Sequence, residues 1–294
     1  MIVGDRGSKK ALTITAFLLP SLLPLTLFTL GPMMASMGIS LLDWNLLTSP
    51  EFAGVDNYIR LFGDAEFWAA VGHTFQFLAM YLPLVFVGGL GIALGLNRGV
   101  RGVGILRSLY FLPVVTSWVV VALVWKWLLN PGSGIVNTLL GFVGIDGPGW
   151  WTDPAWAMAS VVLASAWKDL GFVMVIFLAG LQAIPQDYYE AALVDGAGWW
   201  ARFRHVTLPL LSPASFFVLT ISLINGFQVF DQVFVMTGGG PAGATTVIVE
   251  QIYATAFRYS EMGYAAAMSW VLFLIVITVT AMQFRYQDRW VHYA

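Results

Sequence analysis

Residues 185–213 read PQDYYEAALVDGAGWWARFRHVTLPLLSP. This is a polar, jointed segment between two long apolar runs. Asp187 and Glu190 stand three apart, the spacing of a capping box that would start a short helix just after Pro185. Ala191 and Ala192 carry almost no side chain, so that helix can come close to a partner surface. Asp195-Gly196 is a turn signal, because glycine takes positive φ without strain and stops the helix. A second short helix from about Trp199 would lead through Pro209 into the next apolar run. A plain surface loop needs no helix, turn and helix, so the segment reads as a docking element for another protein.

The surrounding chain fixes where such an element can sit. Of 294 residues, 59% are hydrophobic and 10% are charged, against about 25% charged in soluble domains. The chain is therefore expected to be an all-α polytopic membrane protein, with lipid and not nucleic acid around it. With no cysteine, disulfides, iron–sulfur clusters and thiolate metal sites are excluded. His73, His205 and His292 lie far apart and read as three unrelated residues, with no metal site.

Six spans are expected, each near or above the ~20 helical residues that cross a bilayer. Residues 1–10 form a polar, basic tail, and 11–42 are uncharged and kinked by Pro20, Pro24 and Pro32. The second span covers about 70–96, with Gly88-Gly89 allowing close packing. The third covers 108–128, where Lys126 can snorkel to the interface beside Trp125 and Trp127. The fourth covers 156–181, the fifth 208–230 and the sixth 263–284, so that 11–284 is one transmembrane domain and 285–294 a short tail. An even number of spans puts both ends on one side. That side carries Arg6, Lys9, Lys10, Arg98, Arg101, Arg107, Arg202, Arg204, Arg285 and Arg289, and the opposite loops carry Arg60 and Arg258. The positive-inside rule then makes the termini and the 185–213 segment cytoplasmic.

Several pieces together resemble a known family. They are Glu190-Ala191-Ala192, three residues, Gly196-Ala197, then Phe203 and Leu208-Pro209; Phe52-Ala53-Gly54 with Asn57-Tyr58; Trp167-Lys168; Phe230-Asp231 with Thr237-Gly238-Gly239-Gly240-Pro241; and Gly263-Tyr264-Ala265. In this order they resemble the permeases of binding-protein-dependent ABC importers, in the maltose/glycerol-phosphate branch, over nearly the whole chain. The resemblance implies a type I importer fold in a prokaryotic cell membrane and import of sugars by alternating access. It implies a second, homologous permease subunit, two ATP-binding cassette subunits docked on the EAA loop (Glu190, Ala191, Ala192, Asp195, Gly196, Ala197), and an extracytoplasmic solute-binding protein met by Gly238, Gly239, Gly240 and Pro241. Import of glycerol phosphate or glycerophosphodiesters is the neighbouring alternative. An ion-coupled secondary transporter is a rival of another class, but it has no use for an EAA loop.

Other chemistry is missing. None of the four lysines (Lys9, Lys10, Lys126, Lys168) follows a glycine, so no phosphate loop can form. No G-x-S-x-G or H-E-x-x-H occurs, and no enzyme activity is expected. This chain needs no cofactor of its own, and ATP and magnesium would belong to the partner ATPase. Lys168 and Asp169 fall well inside the fourth span, where charges are costly and usually face a bundle interior or water. Either one lines the solute path while the other binds a neighbouring helix, or the span starts later and both sit by an aqueous vestibule. Asn225, Gln228 and Asp231 recur every three residues on one expected helix face. They suit either the hydroxyls of a sugar or hydrogen bonds between helices. Read alone, the Thr237–Pro241 stretch is a flexible connection.

Overall fold

The computed structural model of the chain describes residues 5–97 and 102–291, and the side chains from Lys10 on apart from those of 11 and 12. Arg98, Arg101 and His292, with the side chains of Arg6 and Lys9, lie outside the described residues. The chain is helical with one small two-stranded exception. In order it runs α1 (Asp5–Leu25), a π-helical stretch, α2 (Gly31–Ile39), β1 (Leu42–Asp43), β2 (Glu51–Phe52), α3 (Asp56–Gly63) and α4 (Ala65–Leu96). Then come α5 (Val103–Val115), α6 (Trp118–Leu128), α7 (Ile135–Phe142), α8 (Pro154–Ala183), α9 (Gln186–Val194), α10 (Trp199–Arg202), α11 (Leu208–Leu210) and α12 (Ser212–Phe227). The last three are α13 (Asp231–Met236), α14 (Ile248–Tyr253) and α15 (Met262–Gln287).

Among the described residues, four stretches are long and apolar enough to cross a membrane unbroken: Thr13–Ile39, Ala65–Leu96, Pro154–Ala183 and Met262–Gln287. The remaining two spans are bent. α5 and α6 meet at 101°, and the Trp199–Leu210 and Ser212–Phe227 helices meet at 63°. Counting each bent pair as one span gives six. The third and fifth spans were each read as one apolar run, and the structure adds a bend within the third and at the entry to the fifth. At Thr116 and Ser117 the backbone turns extended, with ψ near 140° at both, and no apolar pattern records such a turn. Backbone groups freed at membrane depth are tolerated only where protein or water satisfies them, and one such partner is described below. The three prolines of the first span break it less than expected. The helix passes Pro20 and Pro24 and absorbs the misfit as the π-helical turn Thr26–Leu30.

The described residues fall into two compact units, one from the N-terminal helix to Asp64 with Ile252–Val271, the other from Ala65 to Gln251 with the chain from Leu272 on. In the first unit, Asn57 Nδ2 donates to the carbonyls of Ser40 and Leu42 at 2.9 Å each. The Ser40 and Tyr58 hydroxyls are 2.7 Å apart. Arg60 pairs with Glu261 at 2.8 Å and lies over the Tyr264 ring, whose hydroxyl donates to Asp64. Gly263 packs so closely on the Leu42 carbonyl that a Cβ there would collide with it. The short motifs around Asn57 and Gly263, far apart in sequence, thus form one polar collar.

In the second unit α8 is the central helix. It starts sharply because Asp153 accepts a hydrogen bond from the Ala155 amide at 2.9 Å and Pro154 takes the first helical position, where a missing N–H costs nothing. Its burial is deep, with Val161, Ala164, Met174 and Phe177 at 0% exposure. Small residues let its neighbours close in. A Cβ on Gly89 of α4 would come within 2.5 Å of Val173, and one on Gly171 would collide with the Tyr110 carbonyl of α5.

Candidate functional site

A cavity of about 260 Å³ opens beside the middle of α8. Two residues one helical turn apart, Ser165 and Asp169, form its α8 wall. Phe77 and Tyr81 of α4, also four apart, form the facing wall and stack with ring centroids at 5.2 Å. Trp118, the first residue of α6, closes one side because the bend in the third span brings it there. The remaining wall comes from the end of α12, the link after it and the start of α13: Asn225, Gly226, Gln228 to Phe230, Asp231 and Gln232.

Lys168 and Asp169 do different jobs. The Tyr81 hydroxyl donates to Asp169 Oδ2 at 2.7 Å, which holds that carboxyl against the cavity. Lys168 points elsewhere. Its Nζ donates to the Val114 carbonyl at 2.9 Å and stands 4.7 Å from the centre of the Trp118 ring. Val114 sits in the last turn of α5, where carbonyls have no helical partner and a cation is favoured. Lys168 therefore satisfies the end of the broken span and fixes the aromatic residue that begins its second half. Both residues lie mid-helix, so the alternative of a later-starting span is set aside.

Asn225, Gln228 and Asp231 do not share a helix face, which corrects the expectation from their spacing. α12 stops at Phe227, Gln228 caps it, and Phe230 has φ −147° and ψ −63° before α13 begins at Asp231. They converge on the cavity all the same. All three are exposed, and their side chains make no hydrogen bond to other described residues. Seven lining residues escaped the sequence analysis: Phe77, Tyr81, Trp118, Ser165, Gly226, Val229 and Gln232. Phe77, Tyr81 and Ser165 lie in apolar runs that give no local signal of a cavity. Trp118 needed the bend, for which Thr116-Ser117 was the available hint. Gln232, next to Asp231, donates to Ser165 at 3.2 Å.

The 185–213 segment has the helix, turn and helix expected of it, but its first helix has a different start. Pro185 occupies the cap position and no side chain caps α9. Asp187 is the second helical residue, too far in to serve as the cap of a box with Glu190. The turn is a Schellman closure. Gly196 has φ +76°, the Ala197 amide donates to the Ala192 carbonyl at 2.8 Å, and the Gly196 amide donates to that of Leu193 at 3.0 Å. Such a closure satisfies the last carbonyls of a helix and favours glycine at the left-handed position. Tyr189 ties α9 to the following helix through the Thr207 hydroxyl at 3.1 Å. Glu190, Ala191, Asp195 and Gly196 are exposed and Ala192 and Ala197 half-buried. The flanking Val194, Trp199 and Trp200 are 89%, 56% and 61% exposed.

The Thr237–Pro241 stretch is fastened, where the sequence read alone suggested a flexible connection. The buried Thr245 hydroxyl lies 2.7 Å from both the Gly240 carbonyl and the Thr237 hydroxyl, and Thr246 donates to the Gly239 carbonyl at 3.1 Å. Gly238 and Gly239 take φ of +60° and +85°, and the Gly240-Pro241 bond is cis.

Bent spans and a polar cavity at mid-helix suit a membrane permease. Residues 85–293 match the family of binding-protein-dependent transport system inner membrane components. The chain is 37% identical to the trehalose/maltose transport system permease protein MalF of Thermococcus litoralis, over 90% of this chain and 89% of that one. It is 38% identical to the sn-glycerol-3-phosphate transport system permease protein UgpA of Yersinia enterocolitica, over 83% of each. A bacterial ABC transporter that imports the acidic polysaccharide alginate superposes with a TM-score of 0.83 at 25% identity, covering 97% of this chain and 98% of that one. The chain belongs to the family of inner-membrane components of binding-protein-dependent transport systems. It is a permease subunit of an ABC importer and not an enzyme.

Proposed function

We propose that this permease imports a sugar, by alternating access of the cavity beside α8. One observation carries the reading. Asn225 and Gln228 are aimed at the cavity with no hydrogen bond spent on other described residues, next to the Asp169 carboxyl and the Phe77 and Tyr81 rings. Amides and carboxyls meet sugar hydroxyls, and flat apolar rings suit sugar faces. The cavity falls a little under the roughly 300–1,000 Å³ usual for small-molecule sites, which suits a half-site completed by a second permease subunit.

Two ATPase subunits dock on the cytoplasmic side, on the surface formed by Glu190, Ala191, Ala192, Asp195, Gly196 and Ala197. The exposed Val194, Trp199 and Trp200 support this, since an apolar patch of that size on a polar segment marks a contact surface. The termini share that side, as the distribution of arginine and lysine requires. The binding protein meets the fastened Gly238–Pro241 loop on the other side. Lys168 supports the path from behind and is withdrawn as a solute ligand, while Asp169, Asn225, Gln228 and Asp231 are kept.

The test is reconstitution with the second permease, the ATPase and the binding protein in proteoliposomes, offered labelled maltose and trehalose. Accumulation that needs both ATP and the binding protein is expected. Uptake that follows a proton gradient without ATP, or no uptake of either sugar, would overturn the reading.

A further inference from the structure

The names of this permease's relatives span neutral and anionic cargo, so family membership leaves the charge of the solute open. The cavity chemistry does not. Its charged lining residues are Asp169 and Asp231, and no lysine, arginine or histidine is among the described residues that line it. The cation beside Asp169 in sequence is diverted, since Lys168 is committed to the Val114 carbonyl and the face of Trp118. Two neutral donors that would greet an anion are also committed. The Tyr81 hydroxyl is given to Asp169, and the Gln232 amide to Ser165. From this chain, a solute entering the cavity meets carboxyl oxygens and amides, and no positive group among the described lining residues.

We infer that the cavity accepts uncharged, hydroxyl-rich solutes and rejects anionic ones such as uronates and sugar or glycerol phosphates, with Asp169 and Asp231 setting that choice. This rests on the proposed import of a sugar through the same cavity. The physical reason is that charges are poorly screened away from bulk water. An anion is repelled by the two carboxylates and gains no hydrogen bond from them, so neutral amides alone must repay its lost hydration, whereas a hydroxyl both donates to a carboxyl oxygen and accepts from an amide.

The experiment uses the complete complex of both permeases and the ATPase in detergent, without the binding protein, so that the binding protein's own selectivity does not enter. Saturation-transfer NMR is recorded with maltose and trehalose as neutral probes and glucuronate and glycerol phosphate as anionic ones. The neutral sugars are expected to bind, and the anions at least about tenfold more weakly, a difference of about 1.4 kcal/mol. Asp169→Asn combined with Asp231→Asn should narrow that gap, and Gly95→Ala, outside the cavity lining and with room for a Cβ, should leave it unchanged. Anions binding the native complex as well as maltose would overturn the inference. So would the absence of binding by either neutral sugar, or a gap that persists in the double Asn variant. Failure of ATP-driven uptake in proteoliposomes with this binding contrast intact would instead count against the transport reading alone.

Discussion

Tyr81 on α4 donates its hydroxyl to Asp169 on α8 across 88 positions of sequence, at 2.7 Å. The bond joins the two walls of the cavity and orients its central carboxyl. Tyr81 itself is 2% exposed, whereas the Asp169 carboxyl it orients is half-buried and faces the cavity. Tyr81→Phe removes the donor and leaves the ring. Leaving a half-buried partner unsatisfied costs up to about 3 kcal/mol. Detergent melting should fall accordingly, and solute affinity should fall with it because Asp169 loses its fixed direction. An unchanged melting point and unchanged affinity would show that the bond does not matter to either.

Asn225→Ala and Gln228→Ala are expected to behave differently. Neither side chain is bonded to another described residue, so melting should stay put. Solute affinity should drop by up to about tenfold each, the equivalent of one lost hydrogen bond of about 0.5–1.5 kcal/mol. Parallel uptake of maltose and trehalose, set beside the melting curves, reads both quantities. A lowered melting point with no change in uptake would assign the two residues to packing.

The joint at Gly196 predicts a graded series. Gly196→Ala forces a left-handed backbone on a residue with a Cβ, at about 1–2 kcal/mol, and should weaken ATPase co-purification. Gly196→Pro adds a φ that cannot reach +76° and deletes the amide bonded to Leu193. It should abolish co-purification and uptake while membrane insertion persists. Glu190→Ala should abolish uptake with the joint intact. Normal co-purification of the proline variant would remove the docking role from this segment.

Gly171→Leu tests the seam between α8 and α5. A Cβ at Gly171 collides with the Tyr110 carbonyl, a backbone atom that no rotamer change can move aside. The loss should sit at the upper end of the about 1–3 kcal/mol of overpacked cores. Size-exclusion profiles of the fluorescently tagged protein should shift toward aggregate. The same change at Gly95, where a Cβ would meet nothing within 4 Å, is the control and should be well tolerated.

Features carried by local composition were legible before any coordinates. Runs of apolar residues located the spans, Gly88-Gly89 marked a close approach, and Asp195-Gly196 marked the joint. What escaped notice depends on distant partners. Thr116-Ser117 is only a faint hint that the third span turns through 101° there, because the lysine that satisfies the freed Val114 carbonyl stands 54 positions on. Asn225, Gln228 and Asp231 were picked out by a helical period that the chain does not keep. They meet because the helix ends between them and the chain folds back around one cavity. The capping box at Asp187 failed for a local reason. Pro185 takes the cap position, so the acidic residue falls two residues too far along.

α8 has one further consequence. It runs unbroken to Ala183, two residues before the jointed segment begins. Asp169 and Ala183 are 14 residue steps apart along continuous helix with no proline, a length of about 21 Å at 1.5 Å per residue. A helix gripped this closely along its sides moves along its axis more readily than it flexes. A displacement applied to the Ala183 end of α8 would then reach the Asp169 carboxyl with no proline or break in the helix between them. The chain contains, in effect, a push-rod with a selectivity group at its far end.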